Sequence, residues 1–103
     1  MSLADGLLQE LEMEAATTRR VLERVPNDRL GWKPAAKSRS LGELAQHIAT
    51  NPGDVCMMLA QNPAPAPDPT RGRLVPTDAA ELLVTLERSM GQAREYLRGL
   101  SDA

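Results

Sequence analysis

His47 is the only histidine in the chain, and it stands in the stretch SLGELAQHIATNPGD, residues 40–54. An imidazole can ligate a metal, move a proton or simply pack and hydrogen-bond. Glu43 lies four residues earlier, and on a helix that spacing puts both groups on one face, where they could offer oxygen and nitrogen to one ion. Two such pairs brought together by a two-fold axis would supply four ligands. The plainer reading, which we take, is a partly buried, hydrogen-bonded histidine, with Glu43 occupied at the helix start. His47 and Glu43 are therefore the candidate metal residues, and no catalytic or cofactor-binding residue is assigned. Cys56 follows His47 by nine residues, about half a turn round a regular helix, so it reads as a small apolar side chain rather than half of a Cys–His pair. No Gly-rich phosphate loop, Ser-His-Asp set or Cys-x-x-Cys pair is present to name a substrate.

Three segments of helical period must position these residues. The first, about 3–25, spaces Leu7, Leu8, Leu11, Ala15, Leu22 and Val25 by threes and fours and stops before Pro26. The second, about 41–62, begins with Ser-Leu-Gly-Glu, in which Ser40 and Glu43 form a capping box. Leu41, Leu44, Ala45, Ile48, Ala49, Val55 and Leu59 are expected to form its apolar face. Pro52 removes one hydrogen bond inside it, and the prompt return of apolar spacing at Val55 predicts a kink rather than a break. The third, about 78–100, starts at Asp-Ala-Ala-Glu and carries Leu82, Leu83, Leu86, Met90, Ala93, Leu97 and Leu100. Met57, Met58 and Met90 read as core filler, and Arg19, Arg20 and Arg24, interleaved with Glu14 and Glu23, as a solvated face.

Residues 62–77 are rich in proline and predict an extended strap. At about 3.1 Å per residue such a strap can run the length of a bundle, so the third helix can lie parallel to the second. In the first connection Leu30 and Trp32 are the only large apolar groups and are expected to tuck against a bundle end.

The 103 residues suit one domain, residues 1–103, and a 42% apolar content suits a globular protein. With one Trp, one Tyr and no Phe, the core must be aliphatic, which favours helices. A net charge of -2 gives no field for nucleic acid. No run of about 20 apolar residues or signal peptide stands out, so no membrane contact and a cytoplasmic location are expected.

The stretch TRRVLERVPNDRLGWKPAAKSRSLGELAQHIA, residues 18–49, resembles the DinB-like (DinB/YfiT) superfamily: a first helix, a D-x-L-x-W-x-P loop, then a K-S-x-S-L-G-E-L-A-x-H helix start. The later DAAELLVTLERSMGQAREYLRGLSD is similar to the family's third helix. The resemblance implies an all-α, up-down-down-up four-helix bundle and a zinc or nickel site of three histidines, with His47 as the first. It implies that the other two stand in an H-x-x-x-H arrangement on a C-terminal helix. The chain holds no second histidine, so it is expected to be a bundle remnant of three main helices, ending before that fourth helix and completed by dimerisation.

The function expected from this is a non-catalytic DinB-like module that self-associates as a homodimer through apolar faces of the first and third helices. One alternative is a metal-dependent thiol S-transferase-like enzyme that takes ligands from a longer chain or a partner. Another is a small-molecule binding module near Trp32.

Overall fold

The computed structural model describes residues 2–61 and 75–100. Among the described residues the fold consists of three helices: α1, Leu3–Glu23; α2, Leu41–Leu59; and α3, Ala80–Arg98, with a short 3-10 turn at Asn27–Arg29. Among the described residues there is no strand.

Local chemistry sets each helix start. Ser2 and Asp5 cap α1 reciprocally: the Asp5 N–H donates to Ser2 Oγ at 3.1 Å, and the Ser2 N–H to Asp5 Oδ2 at 3.0 Å. The α2 box forms as expected, with the Glu43 N–H on Ser40 Oγ at 3.1 Å and the Ser40 N–H on Glu43 Oε1 at 3.2 Å. At α3 the reciprocal pair is offset by one residue. The Glu81 N–H donates to Asp78 Oδ1, but the Glu81 carboxylate accepts from Thr77, not Asp78, and the helix begins at Ala80.

The connection between α1 and α2 satisfies further helix-end donors. The carbonyls of Trp32 and Leu30 accept the N–H groups of Leu41 and Gly42, each at 2.8 Å. Asn27 Oδ1 accepts the Ala79 N–H at 2.7 Å, tying this loop to the start of α3. A Cβ on Gly42 would stand 2.9 Å from both the Leu30 carbonyl oxygen and the Val75 side chain, so only glycine permits that approach.

Contacts at both ends fix the helix directions. Gly42 meets Val75 while Gly53 meets Ser89, so α2 and α3 run parallel. Glu12 pairs with Arg94 and Arg19 with Glu87, so α1 runs antiparallel to α3. This up-down-down order is what a long connection allows. Residues 62–74 of the expected strap lie outside the described residues.

Leu22, Ala45, Ala49, Leu82, Leu86 and Met90 form the buried core. Complete burial of a side chain such as Leu22, Leu82, Leu86 or Met90 contributes about 1.5–3 kcal/mol. α2 is oriented differently from the sequence expectation. It buries its small residues, Gly42, Ala45, Ala49, Gly53 and Cys56, because these let α2 lie close against the large stripe of α3. Its larger residues turn outward, with Leu44 at 47%, Ile48 at 37%, Val55 at 43% and Leu59 at 66% exposure.

α2 is continuous through Pro52. Beside the proline, the Ser89 hydroxyl accepts from the Gly53 N–H at 2.7 Å and donates to the Thr50 carbonyl at 3.0 Å. A single α3 side chain thus bonds two backbone groups on either side of the residue that lacks a donor. A Cβ on Gly53 would run into the Gln92 side chain and lie 3.1 Å from the Ser89 carbonyl oxygen.

One further expectation is corrected. Trp32 is 53% exposed rather than tucked under the loop, while Leu30 is buried and fills that end. On α3, Leu82, Leu86, Met90 and Ala93 are buried against the other helices.

Candidate functional site

A groove of about 190 Å³ opens between α1 and α2. Leu11, Glu14, Ala15 and Thr18 of α1 form one wall, and His47, Ile48, Asn51 and Pro52 of α2 the other. Leu86 and Met90 of α3 reach its floor. Helix period explains both walls: 11, 14, 15 and 18 recur by threes and fours, as do 47, 48, 51 and 52. An apolar floor and a polar rim result, the rim carrying one carboxylate, one imidazole, one amide and one hydroxyl.

His47 is half-buried at this rim. Its backbone carbonyl accepts from Thr50 Oγ1 at 3.2 Å, an ordinary local helix contact. Glu43 is buried, carries the capping-box bond, and is not among the groove-lining residues. The structure therefore does not place Glu43 and His47 around one shared cavity. The carboxylate that does share the groove with His47 is Glu14, which sequence reasoning put on a solvated face. The α1 stripe is broad enough that its phase alone does not tell an outer position from one at the groove rim.

The metal implied by the resemblance needs at least three protein ligands. Among the described residues no three His, Cys, Asp or Glu side chains converge. His47 and Glu14 are two donors on opposite walls, which falls short of such a set, and we derive no chemical step through a metal.

Cys56 is buried, and burial pushes its thiol above the ordinary value of 9.0. A protonated, enclosed thiol is a poor nucleophile. On the far side of α1, Arg94 grips Glu12 with Nε at 2.6 Å and Nη2 at 3.4 Å and reaches Glu87 at 2.9 Å, while Arg19 holds Glu87 at 2.9 Å. The Glu87 carboxyl is held below its usual value first by the Arg94 hydrogen bond and then by the Arg94 charge, with Arg19 adding less. These four residues bridge α1 and α3 along the rim of a second groove of about 190 Å³, so charge pairs mark the α1–α3 side and the histidine marks the α1–α2 side.

A parallel α2–α3 pair crossed by an antiparallel α1, with the single histidine at the rim of the α1–α2 groove, defines a helical bundle. Residues 10–103 match the family model of the DinB superfamily, and the chain belongs to that superfamily. No curated protein and no solved structure matches it. Among the described residues, no helix is long and apolar enough to cross a membrane.

Proposed function

We propose that this DinB-superfamily chain is a non-catalytic helical module that acts through self-association. The observation that carries the reading is the orientation of α2, which spends its small residues on α3 and presents Leu44, Ile48, Val55, Met58 and Leu59 outward. A run of aliphatic side chains of this extent marks an interaction surface. With Leu82, Leu86, Met90 and Ala93 of α3 buried, this reading draws its surface from α2 and the groove wall of α1. Sedimentation velocity on the purified chain tests it. A dimer at micromolar concentration supports the reading, and a monomer at every concentration up to the millimolar range refutes it.

The placement of His47 in the groove, opposite Glu14, favours one second reading. In it, the chain is part of a zinc- or nickel-dependent thiol transferase that draws further ligands from a partner or a longer chain. Elemental analysis of metal-loaded, buffer-exchanged protein separates the two. Stoichiometric metal that is lost in His47→Ala supports the enzyme, and metal at background in both proteins removes a site built by this chain or its self-associated form alone.

A further inference from the structure

The net charge of -2 hides a segregation. Residues 29–39, RLGWKPAAKSR, hold four basic residues and no acidic one, while the other 92 residues hold 8 basic and 14 acidic. The only tryptophan of the chain stands in the same stretch. A cationic loop around an aromatic ring is thus set on a body of opposite sign.

The loop is held in shape by its own backbone. The N–H groups of Arg29 and Trp32 donate to the carbonyls of Pro26 and Arg29 at 3.1 and 3.0 Å. The Trp32 carbonyl accepts from Leu41 at 2.8 Å, which closes residues 33–40 into a loop, and inside it the Ser38 N–H donates to the Ala35 carbonyl at 3.1 Å. Lys33, Lys37 and Arg39 are confined to that closed stretch, with Trp32 at its base and Arg29 one turn before. Residues 31–37 are exposed without interruption, so the loop protrudes.

Neither the ring nor the cations are used inside the molecule. Trp32 keeps 53% of its surface in water while the much smaller Leu30 fills the end of the bundle, which forgoes the burial that a large ring normally contributes. Among the described residues, Arg29, Lys33, Lys37 and Arg39 make no side-chain hydrogen bond or ion pair. The carboxylates at this end do not cancel them. Glu43 caps α2, Asp78 and Glu81 accept from N–H groups at the start of α3, and Glu23 and Asp28 are matched in number by Arg20 and Arg24.

Shape decides what kind of anion this loop fits. A small anion is held in a concavity, whereas seven consecutive exposed residues make a convex tip. A nucleic-acid strand follows an extended basic groove with several stacking rings, and here one ring and four cations give way at once to an acidic body. A plane of negative charge touches only the tip and leaves that body facing away from it. Tryptophan settles at the boundary between headgroups and acyl chains, and neighbouring Lys and Arg are drawn to anionic headgroups. The expectation of no membrane contact came from the lack of a spanning segment, and a surface contact needs none.

We propose that the 29–39 loop is a docking tip for an anionic lipid surface, with Trp32 entering the interface and Arg29, Lys33, Lys37 and Arg39 on the headgroups. It does not depend on whether the chain self-associates.

Because Trp32 is the only tryptophan, its emission tests the contact directly, with co-sedimentation as a second readout. Vesicles of phosphatidylcholine and phosphatidylserine, two to one, are expected to shift the emission to the blue and carry the protein down, and pure phosphatidylcholine vesicles to do neither. Partitioning should fall at least fivefold between about 0.05 and 0.5 M sodium chloride. Lys33→Gln with Lys37→Gln should lower it about 25-fold, at roughly fivefold per charge, and Trp32→Ala should weaken sedimentation. All of these positions are exposed, so an unchanged far-UV spectrum is expected. Arg88→Gln with Arg98→Gln, which makes the same change in net charge on exposed positions of α3, should leave binding as it was. Emission that does not shift at millimolar anionic lipid, equal binding to pure phosphatidylcholine, or an equal loss from the α3 pair would each overturn the proposal. A single-stranded oligonucleotide or polyglutamate that shifts Trp32 where the vesicles do not would overturn it in favour of a polymeric anion.

Discussion

Ser89 shows how much can rest on one hydroxyl. Pro52 deprives α2 of a donor, and the Ser89 Oγ both accepts from Gly53 and donates to Thr50. Removing it takes away two hydrogen bonds in a packed contact, together worth about 1–3 kcal/mol. In a domain of this size each kcal/mol lowers Tm by roughly 4–8 °C. Ser89→Ala is therefore expected to melt well below the parent in differential scanning calorimetry, while Ser89→Thr, which keeps the hydroxyl, should lose less. Gly53→Ala gains helix propensity worth about 1 kcal/mol, but its Cβ meets Gln92 and Ser89. The close α2–α3 contact is expected to win, so that this variant also unfolds at lower denaturant. Cys56 provides a pH signature. Burial raises its folded pKa above 9.0, so above that pH the unfolded chain gives up a proton that the folded chain retains. Its contribution to stability is thus complete below the ordinary value and falls as pH rises through the folded pKa. Denaturant titrations at pH 7 and pH 10 should show the parent losing more stability than Cys56→Ala.

At the scale of elements, the α1–α3 seam joins an apolar contact to an ion-pair chain. Arg94, only half exposed, binds Glu12 through two nitrogens and Glu87 through a third. Exposed pairs are worth little singly, about 0–1 kcal/mol, but a fork-shaped contact within a network does better. Arg94→Ala is expected to cost about 1 kcal/mol at low salt, less in 1 M sodium chloride, measured by urea unfolding. Because Arg94 depresses the Glu87 pKa below 4.5, this stabilisation is present above that value and is lost as pH falls through the folded pKa. The gap between the parent and Arg94→Ala should therefore close between pH 7 and pH 3. Arg94→Lys should not restore it fully, since an ammonium lacks the planar fork. The α2–α3 contact is of another kind: small residues against large ones, with backbone close enough that a Cβ at position 53 would press on Ser89 and displace Gln92.

At the scale of the whole molecule, the three described helices leave a groove between α1 and α2, and α2 turns its larger side chains outward. A dimer formed there couples folding to concentration. Anything that binds the folded state stabilises it in proportion to the logarithm of its concentration over Kd. The parent chain is expected to show a Tm that rises with protein concentration across two decades, and Ile48→Glu a Tm that does not change. A concentration-independent Tm in the parent, together with a monomeric mass, would remove the self-association reading.

The helices were legible in the sequence because they rest on local signals: the Ser40–Glu43 box, the stop at Pro26 and the aliphatic spacing of α1 and α3. The DinB resemblance was likewise carried by residues close together in the chain. Which face of α2 turns inward was not legible. Leu44, Ile48, Val55 and Leu59 read as core by hydrophobicity, and only tertiary packing decided that Ala45, Ala49 and Gly53 would lie against α3. The physical reason is that α3 offers large side chains along its whole stripe, and two large stripes would hold the helices apart and leave voids. For the same reason His47 could be named from the sequence but its neighbour could not, since Glu14 reaches the groove only through the crossing of α1 over α3. The sequence by itself determined which segments are helical and what caps them, and tertiary structure decided which of their faces remain available to a partner.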